Sequence, residues 1–115
     1  MIVMSIFEKR TQVFGPETLV VGEFDPTADG FYRNVYPIEL TVKPNHMLYV
    51  KVDSDAPVDI VIAREDGSAV QHKDRQTDIQ LGPFPTEKHK SMGIILGVFR
   101  GDKATVKIEA WMERK

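Results

Sequence analysis

The sequence predicts an all-β chain, a single antiparallel β-sandwich of eight or nine strands with little or no helix. Three observations carry that reading. Apolar residues make up 42% of the 115 positions, and among them 13 Val and 9 Ile outweigh 5 Leu and 6 Ala, a balance that suits a pleated, half-buried surface better than a helix. Several segments alternate apolar and polar residues with a period of two. Turn residues recur about every ten positions, a spacing typical of a sandwich or barrel and unlike alternating strands and helices. The length fits one domain over residues 1–115, and area scaling lets such a chain bury about two-thirds of its unfolded surface.

Ile2 to Phe14 follows neither period strictly; a long strand with a break is the preferred reading, with a short helix over Ser5 to Gln12 as the alternative. Thr18 to Phe24 is a further strand candidate, and Asp25-Pro26-Thr27-Ala28-Asp29-Gly30 a turn-rich connection. In Tyr36 to Lys43, Ile38, Leu40 and Val42 alternate with Glu39, Thr41 and Lys43, the period of a half-buried strand. Pro44-Asn45-His46 supplies turn chemistry, and Leu48, Val50 and Val52 resume on one face of Met47 to Asp53. These two strands are expected to be antiparallel neighbours.

Asp53-Ser54-Asp55-Ala56-Pro57 is expected to end the second strand, because Pro57 has no N–H for a ladder and Asp and Ser offer local hydrogen bonds instead. A third strand, Val58 to Ala63, meets Arg64-Glu65-Asp66-Gly67, whose Asp-Gly pair predicts a hairpin returning through Ser68 to Gln71. His72 to Asp78 has charges and no large apolar residue, so it reads as an exposed connection or twisted edge, with a short strand over Thr77 to Leu81. Gly82 to Lys90 reads as a loop, with Pro83 and Pro85 excluding a central strand and Phe84 pinning it down. Gly93 to Arg100 is an apolar run long enough to cross the core, and Gly101-Asp102-Lys103 turns it into Ala104 to Glu113. There Val106, Ile108, Ala110 and Met112 face one way and Thr105, Lys107, Glu109 and Trp111 the other, which places the sole Trp outside, partly exposed or beneath a loop.

Composition removes several function classes. Fifteen Lys and Arg against 17 Asp and Glu give a net charge of −2, without the basic footprint of a nucleic-acid binder. No Cys is present, which excludes disulfides, thiolate nucleophiles and thiolate metal centres. No stretch approaches the ~18 apolar residues of a membrane span. The opening Met1 to Phe7 has no basic leader and meets Glu8-Lys9-Arg10 instead of a small-residue cleavage site, so the expected location is cytoplasmic. There is no glycine-rich phosphate loop, no Gly-x-Ser-x-Gly elbow and no His-Glu-x-x-His pair, so no catalytic residue and no cofactor is assigned.

Isolated polar residues are read against structural roles. His46, His72 and His89 each stand alone in turn-like polar segments and are expected to be solvated. Asp53, Asp55 and Asp59 flank Pro57, and Asp25 and Asp29 flank a turn closed by Gly30. Neither group has the alternating oxygen ligands and final Glu of a calcium loop, so both are expected to cap turns or repel edge pairing. The most interface-like stretch is Phe31-Tyr32-Arg33-Asn34-Val35-Tyr36, since Tyr and Arg offer large amphipathic contacts. With Asp25 and Asp29 it makes a candidate recognition loop of Asp25, Asp29, Phe31, Tyr32, Arg33 and Tyr36. The competing reading has these aromatics plugging one end of the core.

Residues 37–70, PIELTVKPNHMLYVKVDSDAPVDIVIAREDGSAV, resemble the small β-sandwich modules of the prepeptidase C-terminal type and, more loosely, the Golgi-dynamics class. The shared pattern is a strand, a short turn, a second strand and an Asp-Gly hairpin; GVFRGDKATVKIEAW supplies a closing pair, so the resemblance spans roughly residues 36–112. It implies a jelly-roll-like accessory fold that binds or packs, and it transfers no catalytic residue. The expected function is a non-catalytic interaction or ligand-binding module, engaging a protein partner or a second copy of itself. The alternative is a small metal-binding protein or enzyme whose Asp and His side chains converge at one end of the sandwich.

Overall fold

Eight strands account for all the regular structure described. The computed structural model describes residues 10–25 and 31–114. Its strands are β1 (Arg10–Val21), β2 (Glu23–Asp25), β3 (Phe31–Arg33), β4 (Val35–Thr41), β5 (His46–Ala63), β6 (Ala69–Pro85), β7 (Ser91–Gly97) and β8 (Ala104–Arg114). Residues 1–9, most of the segment for which strand and helix compete, lie outside the described residues; residues 10–14 are strand. Among the described residues no helix is long and apolar enough to cross a membrane.

Six strands form one antiparallel sheet in the order β1-β8-β5-β7-β4, with β6 along the remaining edge of β5; β2 and β3 form a separate two-stranded hairpin. The sheet curls into a half-barrel because β5 is bent. Its first half, from His46 to Ser54, pairs with β8, and its second half, from Asp59 to Ala63, pairs with β7, while β6 follows it through both. The segment expected to end a strand therefore turns a corner instead. Ser54 Oγ donates to the Ala56 carbonyl at 2.6 Å and accepts from the Ala56 N–H at 3.4 Å. The β5–β6 register shifts between Asp53 and Val58, and Pro57 removes one ladder donor at the same place.

The expected pairing of residues 36–43 with 47–53 does not form: β4 pairs with β7, and the first half of β5 pairs with β8 and β6. Alternation fixes which face a strand buries but not which strand lies beside it. The chain between β4 and β5 is held by the 86–90 loop, through Val42 N to Lys90 O (2.9 Å), Asn45 N to Glu87 O (2.9 Å) and Thr86 N to His46 O (2.8 Å). That bonding carries β5 away from β4. The Asp-Gly hairpin forms as expected, closed by Arg64 N to Ser68 O (2.8 Å) and Gly67 N to Arg64 O (2.9 Å).

One apolar cluster fills the concave side. Ile38 and Leu40 from β4, Leu48, Val50, Val52, Val58, Ile60 and Ile62 from β5, Ile94 and Leu96 from β7, and Val106, Ile108 and Met112 from β8 are buried in it. Each such side chain contributes about 1.5–3 kcal/mol of transfer free energy. Strands β1 and β4, the two ends of the pairing path, approach within 8 Å at Cα with no ladder between them among the described residues. Near this seam Lys43 N–H donates to Met112 Sδ at 3.2 Å.

The 72–90 stretch is more regular than its composition suggests, because β6 runs unbroken to Pro85. It is an edge strand, where Pro is tolerated, and Lys73, Asp74, Arg75 and Asp78 lie along it, with Arg75 in the left-handed region at φ 56°. Phe84 is buried, as expected. Gly82 has φ +112°, and a Cβ there would lie 2.5 Å from the Leu48 carbonyl oxygen; both features demand glycine.

Trp111 stands on the outer face as expected but is neither partly exposed nor beneath a loop: it is only 5% exposed, covered by side chains of β5 and β1. Tyr49, its cross-strand partner, stacks on it with centroids 5.6 Å apart and planes at 10°. The Arg10 guanidinium sits 4.0 Å from the ring centroid, and Nε1–H donates to Glu113 Oε2 at 3.3 Å. Glu109 secures the arginine at 3.6 Å and accepts from Gln12 Nε2 at 3.0 Å. Trp111→Ala is expected to cost about 3–5 kcal/mol in urea unfolding and Gly82→Ala roughly 1–3 kcal/mol. Trp fluorescence in the folded wild type should be blue-shifted and protected from iodide; strong quenching would show that the stack is open.

Candidate functional site

The sequence-predicted recognition residues divide between two elements. Asp25 pairs with Phe31, Phe24 with Tyr32 and Glu23 with Arg33 in the β2–β3 hairpin. That register brings Asp25, Phe31, Tyr32 and Arg33 onto one small two-stranded arm. Asp29 lies outside the described residues. Tyr36 belongs to β4, opposite Leu96; it is 36% exposed, beside Val35 at 51%. Exposure at that level shows that Tyr36 does not plug the core. The arm and Tyr36 are joined through Asn34, which the sequence reading left without a role. Asn34 O accepts from Val98 N at 2.9 Å, and its Nδ2 donates to Val98 O at 3.4 Å. Both bonds fix the point where the chain leaves the arm and enters the sheet.

The acidic cluster around Pro57 is dispersed onto backbone donors. Asp55 Oδ1 accepts from Thr105 N at 2.8 Å, and Asp59 Oδ1 accepts from Arg75 N at 2.9 Å. Asp53 faces Lys107 across the β5–β8 ladder. Asp55 and Asp59 thus bind strand amides of β8 and β6, 50 and 16 positions away, and do not cap a turn of their own segment. Asp53 and Lys107, with Pro16, Lys51, Ile108 and Glu109, line a shallow hollow of about 120 Å³ on the outer face, where the four charges are two acidic and two basic.

The histidines do not converge. His46 Nδ1 lies 2.8 Å from the Pro44 carbonyl oxygen, and His72 Nε2 pairs with Asp74 at the exposed edge. His89 departs from the solvated expectation. Its side chain is 21% exposed, Nδ1 lies 3.6 Å from Glu65 and Nε2 lies 3.8 Å from Glu87. Nε2 is buried and makes no hydrogen bond. Among the described residues no group of three or more His, Asp and Glu is disposed to hold a metal ion.

Two polar residues do most to hold this end of the molecule. Thr86 is fully buried; its Oγ1 donates to Lys43 O at 2.7 Å and accepts from His46 N at 2.9 Å. The same residue takes the His89 N–H on its carbonyl at 2.9 Å. Nothing local in Pro85-Thr86-Glu87 signals this, because the partners lie some forty positions away. Asp66 orders the Asp-Gly turn by accepting from the Ser68 hydroxyl at 2.6 Å and the Ser68 N–H at 2.9 Å. Those two bonds, helped by Arg64 and His89, hold its carboxyl below the ordinary value.

No protein-family model matches the chain, and no curated protein matches it.

Thr86→Val should destabilise the fold by roughly 2–4 kcal/mol, because it leaves the Lys43 carbonyl and His46 N–H unpaired; Thr86→Ser should restore most of the loss, both read by denaturant unfolding. For Asp66 the folded carboxyl is the stronger acid, so its contribution is present above the unfolded-state pKa and is lost as pH falls through the folded one. An NMR titration should place the Asp66 midpoint below that of a free aspartate, and Ser68→Ala should move it upward; an unmoved midpoint would deny the Ser68 bonds their role.

Proposed function

We propose that the protein is a non-catalytic interaction module whose β2–β3 arm, continued into Val35 and Tyr36, engages a protein partner. The observation that carries this reading is the arm itself. Its ladder is shared with no other described strand, and a two-stranded hairpin is marginal until a further element packs on it. It leads directly into the exposed Val35 and Tyr36, and Asn34 anchors its base. Tyr and Arg on such an arm are the residue types that concentrate binding energy at interfaces.

The alternative, an Asp and His site, has less to support it. Asp55 and Asp59 are committed to backbone amides of different segments, and the three histidines have separate surroundings.

The jelly-roll-like sandwich belongs to the same proposal. We read β1, β8 and the first half of β5 as one wall, and β4, β7 and the second half of β5 as the other, with β6 completing both. The corner at Ser54 to Pro57, where β5 changes partner from β8 to β7, supports that division, as does the pattern shared with prepeptidase C-terminal modules. A cytoplasmic location is part of this reading.

Tyr32→Ala combined with Arg33→Ala should lower capture of a protein partner from cell lysate at least several-fold, with the far-ultraviolet spectrum and urea midpoint unchanged. Equal capture by the double variant would remove the arm from consideration.

A further inference from the structure

The hairpin tip between β5 and β6 holds a motif that the interaction reading leaves unused. Asp66 is followed directly by Gly67. In an Asp-Gly pair the main-chain nitrogen of the glycine can attack the side-chain carboxyl before it with little hindrance, because glycine carries no Cβ. Glu65, Asp66, Gly67 and Ser68 are all exposed, and a Cβ built on Gly67 would meet nothing within 4 Å. Solvent can therefore reach the tip, and its reactivity depends on how the two reacting groups are held.

Both are tied down. The nucleophile would be Gly67 N, whose N–H donates to the Arg64 carbonyl at 2.9 Å. The electrophile would be Asp66 Cγ, whose Oδ1 accepts from the Ser68 hydroxyl at 2.6 Å and from the Ser68 N–H at 2.9 Å. Ser68 is placed in turn by Arg64: the Arg64 N–H donates to the Ser68 carbonyl at 2.8 Å, and the guanidinium reaches Ser68 Oγ at 3.3 Å and the Ala69 carbonyl at 3.1 Å. Two chemical effects follow. The Ser68 bonds keep the carboxyl ionised to lower pH than a free aspartate, and a carboxylate is a poor electrophile because it has no hydroxyl to lose as water. The Gly67 N–H is engaged with a carbonyl, so its nitrogen cannot swing toward Cγ until the turn opens locally.

We propose that Asp66 is a latent site of aspartate isomerisation, which the Ser68 and Arg64 bonds hold closed in the folded hairpin. This goes beyond the β2–β3 arm, which lies on other strands. The reaction needs no partner but water. Gly67 N bonds to Asp66 Cγ, its proton joins the carboxyl hydroxyl that leaves as water, and a five-membered succinimide results. Water then adds to one of the two ring carbonyls. Breaking the bond between Cγ and nitrogen restores aspartate, whereas breaking the bond between the Asp66 main-chain carbonyl carbon and nitrogen leaves isoaspartate.

In the isomer the main chain runs through Cβ and Cγ, and the free carboxylate sits on Cα. The side-chain oxygen that Ser68 binds is gone, and the turn is lengthened by one carbon. The change falls beside the Ala63–Ala69 rung that ends the β5–β6 ladder, so it frays the hairpin tip and leaves the apolar cluster intact.

Trypsin cuts after Arg64 and Lys73, so the peptide of residues 65–73, separated by liquid chromatography and mass spectrometry, reports aspartate and isoaspartate at position 66 after incubation of the full chain near neutral pH. Isoaspartate should accumulate at least about tenfold more slowly in the folded protein than in the same chain unfolded in urea. Ser68→Ala should speed it roughly threefold or more in the folded protein, and Ser68→Thr, which keeps both a hydroxyl and an N–H, should return it to the wild-type rate. Gly82→Ala, which lowers stability away from the tip, should leave the rate unchanged. A folded wild type as fast as the urea-unfolded chain, a Ser68→Ala rate equal to wild type, a Ser68→Thr rate equal to that of Ser68→Ala, or equal acceleration by Gly82→Ala would overturn the proposal. Should Ser68→Ala fail to fold, the wild-type ratio of folded to unfolded rates decides.

Discussion

The bend in β5 is the constraint on which the rest of the architecture depends. A single strand of 18 residues serves two sets of neighbours, and it can do so only because its ladder slips between Asp53 and Val58. Before the corner its inward residues Leu48, Val50 and Val52 face the core alongside β8; after it Val58, Ile60 and Ile62 face the same core alongside β7. A straight strand would give a flat sheet with one exposed apolar side. At the corner, where the β5–β6 ladder skips from Asp53 to Val58, Ser54 Oγ bonds the carbonyl and N–H of Ala56, and Asp55 Oδ1 ties the corner to Thr105 N of β8.

Polar residues, more than apolar ones, decide how this core is closed. The apolar stripes say that strands bury one face; Thr86, Asp55, Asp59 and Asn34 say where the connections run. Each makes side-chain bonds to backbone atoms in a distant segment. Such bonds have little net stabilising effect individually, but an unmade one inside the protein is costly, so they select one arrangement of connections over its competitors. The acidic residues around Pro57 are explained in this way as parts of the scaffold.

Much of the strand content could be read from the residues. Alternation identified the inward faces of β4, β5 and β8 because period-two burial is a local property of the backbone. The Asp66-Gly67 turn was equally local, since Asp66 bonds Ser68 two residues on. Strand order was not legible: β7 separates β4 from β5 through contacts distant in sequence, and Pro57 reads the same whether it ends a strand or bends one. Of the candidate recognition residues, Tyr36 is exposed on β4, and Asp25, Phe31, Tyr32 and Arg33 share the β2–β3 hairpin, a pairing that their own residues did not signal because Pro and Gly between them read only as a turn. The burial of Trp111 was hidden because its cover, Tyr49 and Arg10, comes from two other strands.

The seam between β1 and β4 has a mechanical consequence. Neighbouring strands along the pairing path are joined by ladders, whereas at this seam two strand margins confront each other without a described rung. Widening or narrowing that slit breaks no ladder, so the softest deformation of the shell is a flexing of its radius, resisted mainly by side-chain packing. Any load applied at the arm, which enters β4 through Asn34, is transmitted first to the lip of that slit.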